Sequence, residues 1–201
     1  MTVDRVRLRP GDVLIVRTAT KNAGGLGAWL IRRRALMLAY PWMPWRWWAD
    51  TGAYVNHIAI YTHTDGERHL RGLEGRPGGF GWANLDKYLA DPVTVANTDQ
   101  PKTDVQRGFV VSRAVEMIGI PYDWEAILAF AAGAAGLPFR LSEWPETGVP
   151  SHVVCSSAAD YLYEGAGLDN PGGYAKTRGT DPQDWWAFEQ AKPWLHGKGT
   201  A

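Results

Sequence analysis

Cysteine is almost absent from this sequence: Cys155 is the only one among 201 residues. A disulfide framework within the chain is excluded, and so is a zinc site built on cysteine thiolates. No run of 18 or more uninterrupted apolar residues occurs, so no membrane-spanning helix is expected. The opening MTVDRVRLRP is charged and lacks an apolar core, so no secretory signal is expected there. Net charge is absent too, with 21 Lys and Arg against 21 Asp and Glu. No basic stripe with a nucleic-acid motif is found, and no nucleic-acid partner is expected. Hydrophobic residues make up 45% and charged residues 21%, which excludes a disordered or fibrous chain and fits one domain with a proper core, spanning residues 1–201.

One absence is local. From Val13 to Ala49 there is no Asp or Glu, while Arg17, Lys21, Arg32, Arg33, Arg34 and Arg46 are basic. Tryptophan, by contrast, is abundant. Five of the 11 tryptophans (Trp29, Trp42, Trp45, Trp47 and Trp48) fall in this region. Residues 22–50 therefore read as a basic, Trp-rich insertion. Three roles suit it: an anchor at a membrane surface, a cover over a cleft, or a contact surface for a protein partner.

The rest of the chain reads as short strands followed by helices. Val13 to Val16 is an apolar run after the Pro10-Gly11-Asp12 turn, and predicts a buried strand. Val55 to Thr62 alternates, with Ile58 and Ile60 on one face and His57, Ala59 and Tyr61 on the other. Asp65-Gly66 predicts a hairpin turn, His69 to Glu74 a third strand, and Val93 to Ala96 a fourth. Gly81 to Leu89 reads as a short helix or loop. Helices are expected from Thr103 or Asp104 to about Ile118, from Trp124 to Ala135, from Cys155 to Glu164, and after Thr180-Asp181-Pro182.

Cys155 follows Val153-Val154 and precedes a helix. At a helix N-terminus the macrodipole and free N–H groups favour a thiolate, and the same amides suit an oxyanion. A lone cysteine also serves as a small core residue. His57 lies inside an otherwise apolar strand, rigid enough to act as a base for a thiol, or to be a satisfied core histidine. Glu74 ends the neighbouring strand, where a carboxylate fixes an imidazole tautomer or simply meets solvent. Tyr122 precedes a helix and suits a pocket wall or the core. His63, His69, His152 and His196 fall in turns, strand starts or tails; His152, three positions before Cys155, is the main rival base.

These pieces resemble the permuted branch of the NlpC-type, papain-like cysteine hydrolases, which also includes relatives of lecithin-retinol acyltransferase. GDVLIVR resembles the branch's opening strand, NHIAIYT its histidine strand, and RGLEGRPGGFGWANLDKYL the next strand and its Leu-x-x-Tyr segment. IGIPYDW resembles the tyrosine segment, VVCSSAADYLYEGAG the nucleophile helix, and GTDPQDW the closing helix start. The resemblance runs from residue 10 to about residue 188. It implies an α+β, circularly permuted papain-like fold, with a small antiparallel barrel-like sheet packed on the helix that bears Cys155. It implies Cys155 as nucleophile, His57 as base, Glu74 as the orienting third group and Tyr122 as a substrate-binding residue. No metal or cofactor is implied. The substrate would be a peptide, such as cell-wall peptide, or an acyl-amide. A lipid-directed acyl hydrolase or acyltransferase, or a non-catalytic binding scaffold, would share the same sequence features. A cytoplasmic or phage-associated location suits all of these.

Overall fold

A computed structural model describes residues 7–16, 55–89, 94–97, 99–134, 150–171 and 180–191. The Trp-rich segment 22–50 and His196 lie outside the described residues. The fold is mixed α+β. Five strands, β1 (Val13–Val16), β2 (His57–Thr64), β3 (Leu70–Arg76), β4 (Gly79–Asn84) and β5 (Thr94–Ala96), form one antiparallel sheet in the order β4-β3-β2-β1-β5. Its edges are β4 and β5, which are not paired with each other in the described ladder. The helices are α1 (Asp104–Glu116), α2 (Trp124–Ala134), α3 (Cys155–Gly165) and α4 (Pro182–Ala191).

The alternation seen in the sequence places two cores on the two faces. On one face Val13, Ile15, Ile58, Ile60, Leu73 and Phe80 pack with Val110, Ala114 and Met117 of α1, Ala158 and Leu162 of α3, and Trp185 of α4. On the other, Leu14, Val16, Ala59, Tyr61 and Leu70 pack with Leu85 and Tyr88 of a 3-10 turn, Leu85–Tyr88. Burying each such aliphatic side chain contributes about 1.5–3 kcal/mol. β1 is buried throughout because it is central and covered on both faces, which explains its unbroken apolar run.

Two expectations are corrected. Gly81 to Leu89 is not simply a helix or loop: its first half belongs to β4, a strand obscured by glycine and asparagine, which are poor strand formers. Only Leu85–Tyr88 is helical, with Asn84 accepting from Asp86 N. The β2–β3 connection is also wider than a two-residue turn. Asp65 Oδ1 accepts from Glu67 N and His69 N at 3.0 and 2.9 Å, and Arg68 takes a positive φ of 66°. The Asp65 side chain thus organises a longer loop.

A buried ionic cluster ties the start of β1 to α1. Asp12 Oδ1 accepts from Lys102 Nζ at 3.0 Å and Arg107 Nη1 at 2.8 Å, and Oδ2 accepts from Arg9 N at 2.8 Å. Lys102 also donates to the backbone O and Oδ1 of Asn97, at 2.7 and 2.9 Å. Burial lowers the Lys102 pKa, with Asp12 opposing that shift.

Candidate functional site

The site forms at the margin where β2 begins and β3 ends. The antiparallel register pairs Val16 with His57 and Ala59 with Glu74, so a histidine and a glutamate distant in sequence share one end of the sheet. His57 Nε2 meets Glu74 Oε2 at 3.0 Å, with the two side chains 13% and 0% exposed. Cys155 is the ring's other ionisable neighbour. Burial opposes a charge on His57. The Cys155 sulfur, by charge and hydrogen bond, and the Glu74 carboxylate outweigh it and push the imidazole up to about 10.

Cys155 is the first residue of α3 and is buried. The cap residue, Val154, has extended backbone (φ −98°, ψ 166°) and no side-chain acceptor for the helix's first amides. Ser157 Oγ instead accepts from Val154 N at 3.1 Å. The positive end of the helix therefore begins at Cys155 without a side-chain cap from Val154.

Gly75 lets the helix come this close. A Cβ on Gly75 would lie 3.0 Å from Cys155 N and 3.3 Å from both Cys155 Cα and Val154 C. These are backbone atoms and cannot swing aside. Gly75→Val is therefore expected to push the start of α3 away from β3. Misplacement on the scale of 1 Å costs on the order of 100-fold in a positioned reaction. Alkylation of Cys155 would fall by that order at mildly acidic pH, while circular dichroism keeps its native form. Unchanged alkylation would mean that the close contact is not what sets the thiol's position.

Glu74 is held on every side. Oε2 accepts from Tyr88 OH at 2.7 Å as well as from His57, and Oε1 accepts from Lys87 Nζ at 2.6 Å, with Arg76 Nε 3.1 Å away. Burial alone would raise the carboxyl. The bonds from His57, Lys87 and Tyr88 overcome it and hold Glu74 at about 2. Burial, and then the Glu74 charge, push the Tyr88 phenol far above its ordinary range, so it remains a donor. The carboxylate is thus an anion that orients His57 without taking its proton. Sequence reasoning missed Lys87, Tyr88 and Arg76 as members of this site. The signal was the LDKY segment: a 3-10 turn there presents consecutive side chains to the same carboxylate.

Tyr122 lies beside the thiol. A parallel bridge joins Tyr122 to Val153, with Asp123 N donating to Val153 O at 3.0 Å and Val153 N to Pro121 O at 3.1 Å. This splices the tyrosine segment to the approach of α3. Burial, and next the Cys155 charge, raise the Tyr122 phenol, so it stays neutral near the sulfur. The other histidines are placed elsewhere. His152 is exposed and meets Ser151 Oγ at 3.2 Å; His69 meets Asp86 at 2.7 Å; His63 meets Thr62 Oγ1 at 3.0 Å. Among the described residues no group of three or more His, Cys, Asp or Glu is arranged to hold a metal ion.

A buried thiol at a helix N-terminus, an imidazole that interacts with it and a clamped carboxylate bonded to the imidazole can perform nucleophilic acyl transfer. No protein-family model and no curated protein matches this sequence.

Proposed function

We propose that this chain is a cysteine hydrolase of the permuted NlpC-type, papain-like kind, cleaving an amide through a thiol acyl-enzyme. The observation that carries the reading is the grouping of Cys155 with the bonded pair His57–Glu74 at the sheet margin, with Cys155 at the start of α3. The Cys155 thiolate attacks the amide carbonyl carbon, and the carbonyl electrons move onto oxygen. Amides of the first turn of α3 stabilise that oxyanion. The imidazolium of His57 gives its proton to the amide nitrogen, the C–N bond breaks, and the amine leaves. A water then attacks the thioester, His57 takes its proton, and the Cys155–acyl bond breaks to release the acid. Glu74 keeps the ring in register and its charge balanced, while Tyr122 borders the sulfur as a neutral wall.

Trapping the intermediate tests this. Wild-type protein and Cys155→Ala are mixed with peptide amides, including cell-wall-type peptides, and with acyl lipids, and quenched in acid for intact-mass measurement. The reading expects an acyl adduct from an amide on the wild type and none on Cys155→Ala. Adducts formed only from acyl lipids would move the substrate class to lipids. No adduct from either class would leave a binding scaffold.

A further inference from the structure

At the opposite end of the same sheet lies a cavity of about 330 Å³ lined by His63, Arg71, Trp82, Ala83 and Asn84. Its volume falls within the range of small-molecule sites. The sheet register builds it. His63 pairs with Arg71 and Arg71 with Asn84, making a row across three strands, and Trp82 precedes Asn84 by two residues on β4. Trp82 therefore shares the face of Phe80 and Leu73 but lies beyond the helices' cover, with 48% of its surface exposed.

His63 reaches this row through an irregularity. The β2–β3 register shifts between Tyr61 and His63, so Thr62 is the inserted residue and His63 takes the place opposite Arg71. Bulges of this kind re-aim a side chain. Thr62 Oγ1 steadies the arrangement by donating to Arg71 O and meeting His63 Nδ1, both at 3.0 Å. The His63 and Trp82 rings meet edge-on, centroids 5.9 Å apart and planes at 79°.

Arg71 Nε donates to Asp65 Oδ2 at 2.6 Å, and its Nη atoms make no hydrogen bond among the described residues. Asn84 Oδ1 accepts from Asp86 N at 2.9 Å, which turns the amide nitrogen away from that bond. Asp65 is held below its ordinary range, first by the His69 backbone and against some burial, with Arg71 adding to it, so Arg71 stays oriented by a charged partner. An indole offers an apolar face to a ring, and a guanidinium whose Nη atoms make no bond among the described residues offers a two-point fork to a carboxylate. A sugar ring bearing a carboxylate presents both complements: an axial C–H face for the indole, and an anion with flanking hydroxyls for Arg71, Asn84 and His63. Nucleic acid is disfavoured, since one guanidinium in a chain without net charge does not follow a phosphate backbone.

We propose that this cavity is a binding site for a carboxylate-bearing saccharide, separate from the Cys155 site and independent of its chemistry. The test titrates a uronic-acid hexasaccharide and, as a neutral partner, cellohexaose into the full chain carrying Cys155→Ala, by calorimetry at low salt. The uronate is expected to bind about tenfold or more tightly than cellohexaose, an increment of one log unit in Kd. Arg71→Gln should abolish that preference, and Trp82→Ala should weaken both sugars on the order of tenfold. Trp82→Phe, which keeps an aromatic face, should retain most of the binding and shows that the strand still folds. Equal affinity for the two sugars, no binding of either, binding unmoved by Trp82→Ala, or tighter binding of indole acetate than of the uronate would each overturn the proposal. Since Cys155 is already replaced, failure here leaves the acyl-trapping result untouched.

Discussion

Glu74→Gln is expected to slow alkylation of Cys155 at pH 6 about tenfold or more, because the imidazole beside the thiol loses the anion that favours its charged form. The amide keeps the shape of the carboxylate but loses its charge. Lys87 and Arg76, now 2.6 and 3.1 Å from a neutral group, would repel the imidazolium rather than neutralise the carboxylate. His57 then loses the partner that, with Cys155, pushes it up to about 10. The stability signature has a defined window. His57 is raised from 6.5, so its contribution is full below 6.5 and fades as pH rises through about 10. Glu74 is lowered from 4.5, so its contribution is full above 4.5 and fades as pH falls toward about 2. The melting-temperature gap between wild type and Glu74→Gln should therefore be widest between pH 4.5 and 6.5. A gap that is flat across pH would show that the substitution acts through packing alone. Lys87→Met and Tyr88→Phe, which each remove one bond to Glu74 (the phenylalanine keeping the ring that packs on His57), should move the alkylation–pH profile in the same direction by smaller amounts.

The largest effect on stability is expected far from the thiol. Asp12→Ala would leave Lys102 and Arg107, with side chains 0% and 7% exposed, facing each other without their anion. Removing one partner of a buried ionic group costs about 3–5 kcal/mol. In a chain of this size that lowers Tm by roughly 10 °C. The double substitution Asp12→Ala with Lys102→Met should recover part of the loss, because one buried cation disappears with the anion. Thermal unfolding of the three proteins decides it. Equal loss in single and double variants would mean that Asp12 matters for its bonds to Arg9 N and to Arg107 rather than for the lysine's charge.

Much of this site can be read from the chain because its parts obey local rules. Val153-Val154-Cys155 followed by a helical segment is a local signal, and the sulfur does begin α3. The alternation in Val55 to Thr62 separates Ile58 and Ile60 from His57, Ala59 and Tyr61, as the two cores require. Glu74 beside His57 follows from antiparallel pairing of neighbouring strands. The residues that escaped depend on geometry with no local signature. β4 was hidden because Gly79, Gly81 and Asn84 weaken the strand pattern, although β3 supplies its pairing on one side. Lys87 and Tyr88 read as ordinary turn residues until the 3-10 turn folds them over Glu74. Gly75 falls just past the third strand expected from the sequence, and its use is visible only once the α3 backbone lies against it. The bulge at Thr62 is likewise silent in the sequence, since a one-residue shift leaves composition unchanged.

The most direct measurement is the rate of Cys155 alkylation by iodoacetamide from pH 4 to 10, in wild type and in His57→Ala. With one cysteine in the chain, every event reports on the site. The thiolate is the reacting form. If Cys155 and His57 form an ion pair supported by Glu74, wild type reacts at pH values where a free thiol, with its pKa near 8.5, does not, and His57→Ala loses that reactivity. A profile that follows an ordinary thiol, and that is the same without His57, would contradict the catalytic pair and leave a folded domain whose single thiol is a core residue.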